Sequence, residues 1–136
     1  MAQIEYKHLL MTEQQVRDYF EDEECYIENN IIKDARVVVT GHFNGAVSLD
    51  ITCENICVLS AYNSTRNIGF IIQILAEFLN VIEDNSVGLE KFSGLPIRLV
   101  TTGWGGRCIG IGHFMKDKFI LIEDLVKVGL DKWWNR

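Results

Sequence analysis

The sequence predicts an α+β domain: an antiparallel sheet of about five to six strands, with one long helix packed on it and a peripheral N-terminal helix. Three observations carry that expectation. Two groups of short, β-branched segments are punctuated by turn residues, as in IIKDARVVVTGHF-NG-AVSLDITC and IRLVTT-GWGG-RCIGIGHF. Between them lies RNIGFIIQILAEFLNVI, whose apolar residues recur at helical spacing. Ahead of both groups, Thr12-Glu13-Gln14-Gln15 has the Thr-x-x-Gln form of a capping box.

In chain order, that capping box opens a helix from about Thr12 to Cys25. Val16, Tyr19 and Phe20 form a short apolar stripe, so the helix lies on a surface, and its far end carries Glu21, Asp22, Glu23 and Glu24. From Ile31 the period changes to that of extended chain. Asn44-Gly45 supplies the positive φ angles of a tight hairpin between strands over Ala35–Phe43 and Ala46–Cys53. Alternation in the second strand puts Val47, Leu49, Ile51 and Cys53 on one face. Glu54-Asn55 turns the chain into a third strand, ICVLSAY.

Asn63, Ser64 and Thr65 then cap the long helix, whose inner face is Ile68, Ile71, Ile72, Leu75, Phe78, Leu79 and Ile82. Gly69 inside it costs about 1 kcal/mol relative to alanine, unless its missing side chain lets the helix approach the sheet. GLEKFSGLP is a loop or short turn, followed by the hairpin of IRLVTT and RCIGIGHF. Lys116-Asp117-Lys118 turns the chain into Phe119–Ile122, and a short helix over about Glu123–Val128 closes the fold. The domain organisation expected is a single domain over 1–136, made of an N-terminal acidic helical extension (1–30) and an α+β core (31–129).

The chain has 136 residues, 48% hydrophobic and 24% charged, the balance of an ordinary globular domain. A net charge of −6 argues against broad nucleic-acid binding, which needs clustered Lys and Arg to displace counterions, while leaving room for a small basic site. The opening MAQIEYKHLLMTEQQ has no basic segment leading into an apolar stretch. A cytoplasmic chain with reduced thiols at Cys25, Cys53, Cys57 and Cys108 is therefore expected.

GWGGRCIGIGHFMKDKFI, Gly103 to Ile120, looks most like a site. It fits neither phosphate-binding glycine pattern: no Gly-Lys-Ser/Thr occurs, and Gly110-x-Gly112 is followed at the third position by Met115. The glycines are those of a hairpin corner and a flat strand face. Alternation groups Cys108, Gly110, Gly112 and Phe114 on one face and Ile109, Ile111 and His113 on the other. Something must cover Gly110 and Gly112, either the long helix or a partner.

Cys53-x-x-x-Cys57 is not a zinc knuckle, although a turn at Glu54-Asn55 brings the two thiols together with His42 or His113 as further ligands. No metal and no cofactor are expected. No Gly-x-Ser-x-Gly elbow occurs, so an enzyme is not expected; His113 beside Lys116 and Asp117 is the one acid–base grouping.

The succession from Ile31 to Leu125 resembles a group of small uncharacterised bacteriophage and prophage proteins. It does so through Phe92, Gly94, Pro96, Arg98 and Val100 of the first C-terminal strand and through the ending Ile111, Gly112, His113, Lys116, Asp117 and Phe119. The group usually carries a glycine-rich, aromatic second hairpin where this chain has TCENICVLSAYN. The resemblance implies a phage protein acting in the host cytoplasm, of the kind that counters a defence system as anti-CRISPR proteins do.

The leading expectation is a counter-defence inhibitor that binds a host defence protein, such as a CRISPR–Cas effector, without catalysis. Its candidate partner-binding residues are Glu21, Asp22, Glu23, Glu24, Trp104, Arg107, His113, Lys116 and Asp117, with Trp133 and Trp134 as added aromatic anchors and a homodimer as the oligomer to consider. One alternative is an oligomer that sequesters a nucleotide immune signal with Arg98, Arg107, Lys116, Lys118 and Trp104. Another is a replication accessory that binds single-stranded nucleic acid.

Overall fold

The computed structural model describes residues 6–21, 24–39, 46–54, 57–81, 88–102 and 107–127. Helix α1 (Glu13–Tyr19) is followed by strands β1 (Cys25–Val39), β2 (Ala46–Cys53) and β3 (Cys57–Ser64), and then by the long helix α2 (Thr65–Phe78). A 3-10 turn at Leu89–Phe92 leads into β4 (Pro96–Thr102), β5 (Arg107–His113) and β6 (Phe119–Leu121), and residues 122–127 form a last helix, α3. The six strands make one antiparallel sheet in the order β3-β2-β1-β4-β5-β6, so the α+β architecture is the one predicted.

β1 holds the two strand groups together. Its first half pairs with β4, Cys25 opposite Thr102 through Ile31 opposite Pro96, and its second half pairs with β2, Ile32 opposite Cys53 through Val39 opposite Val47. The partners change at Ile31 and Ile32, where the Ile31 carbonyl accepts from Glu54 N–H and Ile32 N–H donates to the Leu95 carbonyl. A register shift follows between Ile32 and Asp34. The expected boundary between an extension over 1–30 and a core from 31 therefore falls inside a strand. The first helix is correspondingly shorter than its periodicity suggests: it stops at Tyr19, and Cys25 is already extended because its segment completes the ladder with β4. The predicted Asn44-Gly45 turn lies outside the described residues.

The main core lies between α2 and one face of the sheet. Ile71, Ile74 and Leu75 pack with Leu49, Ile51, Ile97, Leu99, Ile111 and Ile120, each such side chain gaining about 1.5–3 kcal/mol on burial. α2 ends before Ile82 because Asn80 adopts a left-handed φ of 59°. Val81 N–H then returns to the Ala76 carbonyl at 2.8 Å and Asn80 N–H to Glu77 at 3.2 Å, a Schellman cap. Gly69 is exposed, with nothing within 4 Å of where its Cβ would stand, so it does not bring α2 close to the sheet.

The opposite face of the sheet carries a smaller core of Val16, Val100 and Phe119, against which Met11, Phe20, Cys25, Ile27 and Ile109 pack. Val16 is the only buried residue of α1. Its helix is therefore the cover of this second face. A capping box on Thr12 and Gln15 starts it, as the sequence indicates.

Candidate functional site

Gly110 and Gly112 are covered neither by α2 nor by open space. A Cβ on Gly112 would overlap the Cδ2–Cε2 edge of the ring of Phe119, the fully buried first residue of β6 and the register partner of Gly112. A Cβ on Gly110 would meet the Ile120 carbonyl at 3.2 Å and Leu121 Cδ2 at 3.3 Å. The flat strand face is thus a seat for a neighbouring aromatic ring within the sheet.

The expected alternation along β5 also fails at one point. The ladder with β4 steps from Val100 opposite Gly110 to Thr101 opposite Cys108, leaving Ile109 as the extra residue of a bulge. Cys108 consequently packs with the α2 core and Ile109 with the α1 core, the reverse of simple period two.

The turn after β5 is held through its backbone, through His113 and through Asp117. His113 N–H donates to the Lys118 carbonyl at 2.8 Å, and His113 Nδ1 accepts from Met115 N–H at 3.0 Å and Lys116 N–H at 3.1 Å. Burial chiefly, and then the charges of Lys116, Lys118 and Arg98, lowers the His113 pKa, which favours the neutral ring that can accept these bonds. Arg98 reaches across from β4: Nε donates to the His113 carbonyl at 2.9 Å, Nη2 to the Lys116 carbonyl at 2.8 Å, and its guanidinium lies 5.0 Å from the centre of the Phe119 ring.

Asp117 accepts from Glu13 N–H at 2.7 Å, at the positive end of α1. Glu13 in turn lies 3.8 Å from Arg98 Nη1 and 3.3 Å from Arg17 Nε. A bridge between Met11 and Phe119, with N–H to carbonyl distances of 2.9 and 2.8 Å, covers the outer edge of β6. His113 and Asp117 therefore shape the fold, and the acid–base grouping suggested by the sequence is a clasp between α1 and the β5–β6 turn.

What the clasp leaves outside is its tip. Phe114 is 39% exposed and Met115 79%, and Lys116 and Lys118 are exposed beside them.

The candidate partner-binding residues divide into two groups. Glu21 is exposed just past the end of α1 and Glu24 is exposed next to Cys25, which pairs with Thr102, and Thr102 pairs with Arg107. His113, Lys116 and Asp117 lie past the Ile97–His113 rung at the other end of the same ladder, about 17 Å away at the usual rise per strand residue. In the ladder register Arg107 thus stands at the end opposite to Lys116 and Lys118. Asp22, Glu23, Trp104, Trp133 and Trp134 lie outside the described residues.

At the acidic end, Tyr26 is 45% exposed and its hydroxyl donates to Glu24, which raises the phenol's pKa. Arg17 Nη1 donates to the Cys25 carbonyl at 3.2 Å and ties α1 to the start of β1. The Cys25 thiol is pushed up, mainly by burial, away from the reactive thiolate form. Cys53 and Cys57 are register partners, and the predicted Glu54-Asn55 turn lies partly outside the described residues. Among the described residues no three or more His, Cys, Asp or Glu side chains are grouped to hold a metal ion, and no helix is long and apolar enough to cross a membrane.

Sequence reasoning did not find the pairing of Gly112 with Phe119 or of Asp117 with α1. The only local sign of the first is a glycine facing an aromatic across a short hairpin; the second joins residues 104 positions apart and leaves none. No known protein family, no curated protein and no solved structure matches the chain.

Proposed function

We propose that the protein is a phage-encoded, non-enzymatic counter-defence protein that inhibits a host nucleic-acid-handling effector, such as a CRISPR–Cas complex, by binding to it. The observation that supports this reading most is the acidic end of the β1–β4 ladder. Glu24 is exposed there beside the exposed Tyr26, and Glu21 is exposed just past the end of α1, on a chain of net charge −6. Carboxylates and an aromatic ring suit the basic groove in which such an effector holds nucleic acid, where complementary charge speeds and orients docking. The resemblance to phage proteins supplies the setting.

The test is incubation with purified host nucleases and surveillance complexes, followed by size exclusion and nuclease assays. Co-elution and loss of cleavage are expected, both weakened at least tenfold by Glu21→Lys with Glu24→Lys. Failure to co-elute with any nuclease or surveillance complex overturns the reading.

A further inference from the structure

The tip of the β5–β6 turn has the build of a docking element. Met115 and Phe114 are exposed apolar side chains on a short turn, yet the backbone beneath them is fixed by the two His113 Nδ1 bonds, the two Arg98 bonds to carbonyls and the Asp117 cap on α1. Little conformational freedom remains to be lost on binding, which lowers the ordering cost that an exposed loop would otherwise carry. The rung beside Ile97–His113 is Ile31–Pro96, with Ile31 40% exposed and Pro96 exposed, so further apolar surface lies at the same end of the ladder. Lys116 and Lys118 edge the tip with positive charge, against the −6 of the whole chain.

A surface of this kind calls for an apolar contact bordered by carboxylates, and the chain carries one at its other end, where Glu24 stands beside the exposed Tyr26 and Glu21 is exposed just past the end of α1. We propose that this end of one copy, Phe114–Met115 with Lys116 and Lys118, docks on the acidic end of a second copy, head to tail. The two surfaces differ and lie at opposite ends of the β4–β5 ladder, so the contact is heterologous and builds short chains or rings rather than an isolated two-fold pair. A like-with-like contact of two tips would set lysines against lysines. An anionic membrane fits less well, since the tip is small and the rest of the chain is repelled. Self-association and target binding would share the acidic end, although the inference does not depend on that target.

The test uses sedimentation equilibrium of the full chain and two charge-reversed variants, K116E/K118E at the tip and E21K/E24K at the acidic end, each checked for native circular dichroism. The wild-type average mass is expected to rise with concentration above 15.6 kDa and to rise less at high salt. Each variant alone is expected to stay at the single-chain mass. Mixed, one variant's intact tip meets the other's intact acidic end, but the charge-reversed surfaces left over are also complementary, so the mixture is expected to regain association at 1:1 stoichiometry. Met115→Ser, which changes no charge, is expected to weaken wild-type association and provides a second tip variant if a reversal disturbs folding. A wild type of single-chain mass at every concentration, variants that associate as the wild type does, or a mixture that does not associate each overturn the proposal. So does flotation of the wild type with phosphatidylglycerol vesicles that is lost in K116E/K118E.

Discussion

Replacing Gly112 by alanine tests the central packing claim directly. The added Cβ would overlap Phe119 Cε2 and Cδ2 and stand 3.1 Å from Cζ. The ring has nowhere near to go: it is fully buried, Val16 and Val100 share its cluster, Met11 is bridged to its backbone, and Arg98 lies 5.0 Å from its centre. Overpacking of this kind costs about 1–3 kcal/mol when neighbours shift, and a ring forced outward costs about 3–5 kcal/mol, the range for losing a buried phenylalanine. An intermediate loss of about 3 kcal/mol is expected. For a chain of 136 residues, an unfolding entropy of about 2.1 cal/mol/K per residue converts this to a fall in Tm of about 10 °C. Urea unfolding and calorimetry measure it. The double variant Gly112→Ala with Phe119→Leu is expected to lose less than the sum of its parts, because the smaller side chain makes room. A Gly112→Ala protein within about 0.5 kcal/mol of wild type, the range of neutral surface changes, would refute the proposed seat.

Four further outcomes follow from the same geometry. Gly69→Ala, at an exposed helix position with free space, is expected to stabilise by about 0.5–1 kcal/mol, read as a higher urea midpoint. Arg98→Met removes two charge-assisted bonds to carbonyls from a side chain only 20% exposed and is expected to cost about 2–3 kcal/mol by urea unfolding. Asp117→Ala leaves the Thr12 capping box but removes the acceptor for Glu13 N–H, and is expected to cost about 1 kcal/mol, with faster hydrogen exchange at Glu13. His113 has a pKa lowered in the folded state, so below its ordinary value near 6.5 the unfolded chain binds a proton that the folded chain does not. Stability is therefore complete above about pH 6.5 and declines as pH falls through the folded-state value, and in His113→Asn this part of the pH dependence disappears from melting curves.

The sheet, its two strand groups and the long helix were legible because each depends on local pattern: period two in AVSLDITC, period 3.6 in IGFIIQILAEF, and a capping box at Thr12. The limits of α1 and β1 were not, because helical spacing from Val16 to Phe20 does not show that Cys25 onward is needed as the partner of β4. A bulge at Ile109 moves two side chains to opposite faces without changing composition. At the candidate site, the sequence marked His113, Lys116 and Asp117 as important but could not show their use. Their partners, Arg98 and Glu13, come from other elements, and the contacts that turn a catalytic-looking triplet into a clasp appear only once the sheet is assembled.

The bridge between Met11 and Phe119 and the Asp117 cap on α1 also bear on how the molecule comes into being during synthesis. The segment that covers the second sheet face is made first, yet Val100, Ile109 and Phe119, with which it packs, are made late. At translation rates of roughly 5–20 residues per second, α1 waits about 5–20 s before Phe119 exists to receive it. Until then Val16 lacks the buried ring of its cluster, and α1 lacks both the Met11–Phe119 bridge and the Asp117 carboxylate. The last event in acquiring the native state is thus a closure of the beginning of the chain onto its end, and a ribosome halted before Phe119 would hold a protein with its long helix in place and its acidic helix still free.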